Sequence, residues 1–207
     1  MIKKFMKGAA AIAIMTSIGV GTAAAQACEE TQFSSANAEN YLKAETELMV
    51  NENPQAALQA LNALRAQELN CYEEGAAMQL SAAIKIQTED YVGAISELET
   101  MIARGFIAGE NVKSTYYNIA QLYLTTDNKE KSLEYYDRWM SVGGVPDRSQ
   151  KWTLAVLYQQ MDRFPEALNW AEQVFQDDGP GAERQVYDFL IFLYDKTGNF
   201  AKKAELL

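Results

Sequence analysis

The sequence predicts an all-helical protein, built as a stacked array of about five helix–turn–helix units. Three observations carry this prediction. An apolar stretch, a polar turn, an aromatic residue and a small residue recur in that order every 35 to 38 residues. Breaks rich in Gly and Pro separate the copies, and no stretch of any length shows the apolar–polar alternation of a β-strand. Repeats of this length are typical of solenoids, in which each unit buries its apolar face against the next.

A secretory signal peptide is predicted over residues 1–27. Lys3, Lys4 and Lys7 make the N-terminus basic, residues 8–20 are mostly apolar, and Ala25-Gln26-Ala27 provides an Ala-x-Ala cleavage site. The apolar run is too short to span a bilayer, and no other stretch approaches the roughly 20 apolar residues that a span requires. We therefore expect an exported mature chain, periplasmic or secreted. The alternative is that this segment is the first helix of a cytosolic protein.

Composition narrows the classes of function. The formal net charge is −10, and removing the lysine-bearing signal peptide makes the mature chain more acidic. Nucleic acid is therefore a poor partner, since phosphate binding needs clustered Lys and Arg. The chain has no His, which removes His-based triads, His-bearing zinc sites and the commonest general base. No Gly-rich phosphate loop is present. We predict no catalytic, cofactor or metal site, and a protein that is not an enzyme.

The two cysteines, Cys28 and Cys71, are predicted to form one disulfide, because the count is even and the expected compartment is oxidising. The bridge would stabilise the fold by about 4 kcal/mol in the chain-entropy model. The competing hypothesis is acylation of Cys28 as a lipoprotein. The preceding residues, Ala25-Gln26-Ala27, lack the Leu-Ala-Gly pattern typical of lipoprotein signals.

The exported part divides into a leader and a repeat domain. Residues 28–37 are polar and predict a short leader, and residues 38–207 form the repeat domain. Each unit is predicted as a first helix (helix A), a tight turn and a second helix (helix B). The units start near residues 38, 75, 113, 148 and 184, and their tight turns lie at 51–54, 89–91, 127–129, 162–165 and 198–200.

These residues resemble the tetratricopeptide repeat (TPR) family, in which small residues let helices A and B pack closely. The small positions are Ala82, Ala120 and Ala155 in helix A, and Ala57, Ala94, Ser132 and Ala167 in helix B. The large apolar position of helix A holds Tyr123, Tyr158 and Tyr194, with Leu48 in unit one. Departures are Glu45, Lys85, Ile191 and Lys203. The resemblance implies a right-handed α-solenoid whose first unit acts as a cap.

The resemblance also implies a concave groove lined by helices A, which binds a protein or peptide. One Trp, one Tyr and several amides suit an extended peptide, because aromatic rings supply contact area and amides bond to its backbone. The alternative is that Trp152 is partly core and that the glutamines merely face solvent. The groove positions are Gln79, Ala83, Ile86 and Gln87 in unit two, Tyr117, Gln121, Leu124 and Thr125 in unit three, and Trp152, Val156, Gln159 and Gln160 in unit four. On helix B of unit three, Tyr136 and Trp139 are expected in the core and Tyr135 on the outer face.

The second half of the chain, with Gly-Gly-Val-Pro at 143–146 followed by Trp152-Thr153-Leu154, resembles exported repeat proteins encoded beside TonB energy-transduction components. The function predicted on this basis is an exported scaffold that binds a protein partner as an accessory of an envelope complex, and that meets the membrane only through this partner. One alternative is a cell-wall- or carbohydrate-associated binding subunit. Another is an enzyme whose active site the sequence pattern does not reveal.

Overall fold

A computed structural model of the protein describes Cys28 and residues 32–206. The predicted signal peptide lies outside these described residues. Within them the chain forms helices and no strand, which confirms the all-α prediction. None of the described helices combines the length and the apolar character that crossing a membrane requires. The helices are α1 (Ser35–Met49), α2 (Pro54–Arg65), α3 (Cys71–Gln87), α4 (Tyr91–Ala103), α5 (Glu110–Thr125), α6 (Lys129–Ser141), α7 (Arg148–Gln160), α8 (Phe164–Asp178), α9 (Arg184–Thr197) and α10 (Phe200–Glu205).

The helices pack in consecutive pairs, from α1 with α2 to α9 with α10, and each pair contacts the next. In each pair the odd-numbered helix is helix A and the even-numbered helix is helix B. Among the helices A of the described residues, α1 and α3 also meet directly. The predicted solenoid of helix–turn–helix units is therefore confirmed. Helix α1 begins at Ser35, inside the segment predicted as a leader.

One backbone turn joins helices A and B in every unit. Its central residue has a left-handed backbone, with φ between 50° and 73°, and these residues are Glu52, Glu89, Asp127, Asp162 and Gly198. They recur at intervals of 37, 38, 35 and 36 residues, the same intervals that separate the predicted unit starts. In the last four turns, the next N–H donates to the carbonyl five residues back, which satisfies an orphan carbonyl at the end of helix A.

The next residue along the chain is the N-cap of helix B. In three units its side chain accepts a hydrogen bond from a backbone N–H of the first turn, and these residues are Asn53, Asp90 and Asn128. Such caps typically stabilise a helix by about 1 kcal/mol. A polar pair at the tight turn therefore ends one helix and caps the next. This local signal is why the turns could be predicted from the sequence.

Small residues form the seam between the helices of a pair. Ala120 and Ala155 in helices A are fully buried, as are their helix B counterparts Ser132 and Ala167. The Ser132 hydroxyl donates to the carbonyl oxygen of Ala120 at 2.9 Å, so a polar residue is satisfied inside the seam. Because neither helix carries a bulky side chain here, the two backbones can approach closely.

The apolar core is divided in two. A first cluster joins α1, α2 and α3, and a second cluster extends from α4 to α9. Between them Glu97 accepts hydrogen bonds from Ser81 at 2.8 Å and Lys85 at 3.1 Å. Burial raises the pKa of Glu97, but these hydrogen bonds outweigh it and hold the pKa below its usual value. Lys85 stands where later units have Tyr, and this polar contact accounts for the departure.

A hydrogen bond between Tyr and Glu ties neighbouring units together at two boundaries. Tyr123 of α5 donates to Glu99 of α4 at 2.8 Å, and Tyr194 of α9 donates to Glu172 of α8 at 2.9 Å. Both carboxylates lie ten residues after the left-handed turn residue of their own unit. Burial and the hydrogen bond to Glu99 raise the pKa of Tyr123 to about 12. The boundary between units three and four has the shorter Asp137 at the same place.

The N-terminal end is held by a disulfide and by a buried carboxylate. Cys28 and Cys71 are bonded, with a Cα–Cα distance of 5.3 Å, which confirms the predicted bridge. A sulfur in a disulfide cannot also carry a thioether-linked lipid, so the bridge favours the disulfide hypothesis over acylation of Cys28. Beside it Glu73 is 1% exposed and accepts hydrogen bonds from the Ser34 N–H at 2.7 Å and the Asn37 side chain at 2.8 Å.

Candidate partner-binding cleft

An open apolar cleft lies between α7 and α9, the helices A of the last two units, and has a volume of about 650 Å³. Trp152 and Phe189 form its centre, with ring centroids 5.1 Å apart and ring planes at 60°. Its lining residues are Trp152, Val156, Arg184, Gln185, Asp188, Phe189 and Phe192. We call this set the Trp152 cleft.

The local sequence of α7 fixes the position of Trp152. Asp147 and Gln150 form a reciprocal capping box, which sets where α7 begins and places Trp152 in its second turn. Arg148 then holds α7 against α8 through two hydrogen bonds to Asp178, at 2.9 and 2.6 Å. The Arg148 guanidinium lies 6.0 Å from the Trp152 ring centroid. The ring is half-buried and packs partly against the second core cluster, so one part of it is core and the rest is open.

Charge at the cleft is confined to its rim. The Arg184 guanidinium and the Asp188 carboxylate are 3.5 Å apart, with side chains 93% and 62% exposed, so solvent screens the pair and it contributes little to stability. The Gln185 amide lies on the same rim. An apolar floor of aromatic and aliphatic side chains with a few polar groups at the edge is the usual chemistry of a surface that receives a side chain of a partner.

The structure places only part of the predicted groove in this cleft. Trp152 and Val156 line it. Tyr117 instead packs on Tyr136 and Trp139 of α6, at centroid distances of 5.9 and 5.3 Å.

The remaining predicted groove residues lie outside the cleft. Gln121 donates its side-chain amide to the hydroxyl of Tyr136. Leu124 is half-buried against the second core cluster. Gln159 is half-buried and Gln160 is exposed.

The expected exposure of Tyr135 is wrong. Its side chain is 5% exposed, and its hydroxyl donates to Glu99 of the preceding unit at 2.7 Å. The ring also lies 5.5 Å from that of Tyr123. The carboxylate that draws Tyr135 inward is 36 residues away in the sequence, so the periodicity of α6 alone gave no sign of it. Tyr136 and Trp139 are buried as expected.

Sequence reasoning missed the α9 side of the cleft. The repeat pattern does not indicate Phe189 and Phe192, although α9 is apolar on two faces. Val186, Leu190, Leu193 and Tyr194 are buried in the core, and the two phenylalanines lie off that stripe. This second apolar stripe was the available signal. It was masked because Asp188, and not an aromatic residue, occupies the position in α9 that Trp152 occupies in α7.

Comparison with solved structures finds the same architecture elsewhere. A kinesin light chain protein of Podosopora anserina with nearly identical TPR-like repeats superposes with a TM-score of 0.53 at 16% identity, over 85% of this chain and 93% of that chain. A single-substitution variant of that protein gives a TM-score of 0.53 at 15% identity, over 84% and 93%. No protein-family model and no curated protein matches the sequence. On its helix pairs and on these superpositions, the chain has the fold of a TPR-like repeat solenoid.

Proposed function

We propose that this protein is an exported scaffold that binds a protein or peptide partner on the face formed by its helices A, with the Trp152 cleft as the anchor. The observation that carries the proposal is the open aromatic cleft between α7 and α9. Trp is strongly enriched among the residues that dominate binding energy at protein interfaces. Stacked helical repeats use extended surfaces of this kind to bind partners.

A peptide suits the cleft because its floor and rim offer different chemistry. The Trp152, Phe189 and Phe192 rings can take up one apolar side chain of the partner, while the Gln185 amide at the rim can hydrogen-bond to the partner's backbone. Glutamines also recur on helices A of other units, at Gln79, Gln87, Gln159 and Gln160 among others. An apolar anchor flanked by amides supports binding of an extended segment over several units.

Export is supported by the predicted signal peptide together with the disulfide at Cys28 and Cys71, since such bonds persist in oxidising compartments. The finer hypothesis is an accessory role in an envelope energy-transduction complex of the TonB type. It rests on the resemblance of residues 143–154 to exported repeat proteins of such systems. Under this hypothesis the partner is an envelope protein, and contact with the membrane is made through it.

The test is capture of partners from a periplasmic extract by the tagged, oxidised protein and by its Trp152→Ala variant. Removing an anchor aromatic at an interface centre costs about 2 kcal/mol or more, roughly a thirtyfold loss of affinity. Trp152→Ala should therefore lose proteins that the wild type retains. Trp170→Ala is the matched control, because Trp170 is also half-buried and belongs to the same unit but lies on α8, outside the cleft. Equal capture by wild type and Trp152→Ala would rule the cleft out as the anchor.

Tyr117→Ala serves a second purpose in the same experiment. Because the Tyr117 ring packs on Tyr136 and Trp139, this variant should lower the melting temperature. Capture by Tyr117→Ala is therefore interpreted only at a temperature where circular dichroism shows full helicity. Binding that survives in folded Tyr117→Ala but not in Trp152→Ala would assign the anchor to the α7–α9 end.

A further inference from the structure

Four positions on each helix A lie on the open face, and they can be numbered from the left-handed residue of the following turn. Trp152 and Val156 are ten and six residues before Asp162 and line the Trp152 cleft. Met49 is three residues before Glu52 and lines a second open cleft of about 350 Å³. Gln87 also lines this second cleft, and it lies two residues before Glu89, the left-handed residue of its own unit.

In the first four units these four positions form a strip free of charge, whereas in the fifth unit they hold Asp188, Phe192, Asp195 and Lys196. In the first four units all sixteen residues at them are uncharged, from Leu42 to Gln160, although 22% of the chain is charged. We call these sixteen residues the uncharged strip. An acidic partner segment would find no Lys or Arg on it. A charged residue of either sign lying on the strip would lose hydration without gaining an opposite charge.

One border of the strip is acidic. The second cleft brings Glu52 next to Met49 and Gln87, so the turn residue borders the strip directly. The equivalent turn residues in the next three units are Glu89, Asp127 and Asp162, and all four are exposed. We call these four acids the turn edge. Within the described residues, only Asp127 among them has an ion-pair partner.

We infer that the strip takes up a cationic polypeptide segment, whose aliphatic or aromatic side chains lie on the strip and whose Lys or Arg side chains reach the turn edge. This inference rests on the proposed function, because it names the chemistry of the partner for the same face. Charge complementarity selects the occupant. A row of carboxylates, three of the four without an ion-pair partner in the described residues, along an uncharged floor attracts cations, speeds their association and rejects acidic segments.

The test uses three fluorescein-labelled peptides of equal length that share their Leu, Trp and Gln positions. They differ only at the remaining positions, which are all Lys, all Gln or all Glu. Fluorescence anisotropy at low and at physiological ionic strength measures their affinities for the oxidised protein. The Lys peptide should bind about tenfold tighter than the Gln peptide at low salt, with a smaller difference at high salt as the charges are screened. The Glu peptide should bind more weakly than the Gln peptide.

Two triple variants locate the charges responsible. Glu52→Gln/Glu89→Gln/Asp162→Asn removes three carboxylates of the turn edge. The control, Glu68→Gln/Glu183→Gln/Glu205→Gln, removes three exposed carboxylates elsewhere, so the net charge changes equally. The preference for the Lys peptide should disappear in the first variant and persist in the second.

The outcomes separate this inference from the proposed function. Absence of saturable binding by the Lys peptide, equal affinity for the Lys and Gln peptides, or equal loss in both triple variants overturns the inference. A preference for the Lys peptide that depends on the turn edge but is unchanged by Trp152→Ala supports the inference on charge and contradicts the cleft as the anchor. If Trp152→Ala loses affinity for all three peptides and the wild type shows no preference among them, the cleft is supported as the anchor and the inference on charge is contradicted.

Discussion

At the scale of single residues, Glu73 is the most constrained side chain in the N-terminal part of the fold. It is almost completely buried and accepts hydrogen bonds from the Ser34 N–H, the Asn37 amide and the Asn70 N–H. Glu73→Ala would remove the acceptor of all three donors, of which only the Asn37 hydrogen bond is fully buried, and a buried unsatisfied donor costs about 1–3 kcal/mol. We expect a loss of about 1–3 kcal/mol in the free energy of unfolding, measured by urea denaturation. Glu74→Ala is the matched control, because the side chains of Glu74 and of its ion-pair partner Arg104 are 40% and 46% exposed, so loss of the pair should cost under about 1 kcal/mol.

The same residue predicts a pH dependence. Burial raises the pKa of Glu73, but its hydrogen bonds outweigh this and lower the pKa below the ordinary value of 4.5. Since the folded pKa is depressed, the carboxylate's contribution is present above pH 4.5 and is lost as pH falls through the folded value. The stability difference between wild type and Glu73→Ala should therefore be constant near neutrality and shrink below about pH 4. A difference that stays constant down to the acid unfolding limit would show that the charge is not involved.

At the scale of helices, the alanine seam is the feature most sensitive to added volume. Ala120 and Ala155 have no exposed surface, so Leu at either position would force the two helices of its unit apart. Overpacking of this kind costs about 1–3 kcal/mol, which should appear as a lower melting temperature. Ala103→Leu is the control, because Ala103 is exposed on α4. Equal melting temperatures for all three variants would contradict the close packing.

The Tyr–Glu hydrogen bond between units offers an internal comparison. Tyr194→Phe removes the hydroxyl that donates to Glu172, and hydrogen bonds to charged groups contribute about 1.5–3 kcal/mol. Tyr158 occupies the same position one unit earlier, but among the described residues its hydroxyl has no hydrogen-bond partner. Tyr158→Phe should therefore change the free energy of unfolding by under about 0.5 kcal/mol. Similar losses in the two variants would show that the hydroxyl matters through hydration and not through the carboxylate.

How far the sequence predicts each element follows from the range of its contacts. The turns were predictable because local chemistry decides them: the polar pair at Asp127 and Asn128 ends one helix and caps the next. The buried Tyr135 and the cleft residue Phe189 were not predictable in this way. Tyr135 is held by Glu99 from the preceding unit, and Phe189 meets Trp152 across a unit boundary. Contacts between units depend on superhelical geometry, which a repeat pattern alone does not specify.

At the scale of the whole molecule, the division of the core predicts that the two ends respond differently to reduction. The disulfide closes a loop of 43 residues, so reducing it should destabilise the fold by up to about 4 kcal/mol in the chain-entropy model. The loop contains α1 and α2, which belong to the first core cluster. Because repeat arrays couple mainly between neighbours, hydrogen exchange after reduction should accelerate in α1 and α2 and stay nearly unchanged in α7. Equal acceleration at both ends would instead show a single cooperative unit.

At the left-handed turns, the residue that favours folding stability differs from the residues that give the surface its negative charge. Such a backbone costs an ordinary residue about 1–2 kcal/mol, whereas glycine adopts it freely at an entropic cost of about 0.5–1 kcal/mol. Four of the five turns nevertheless carry Glu or Asp. In a library varied at Glu89 and Asp162, sorting for survival of heat should enrich glycine, while sorting for retention of a cationic peptide should enrich acids. The acids present at four of the five turns would then be explained by selection for binding a cationic segment and not by selection for stability.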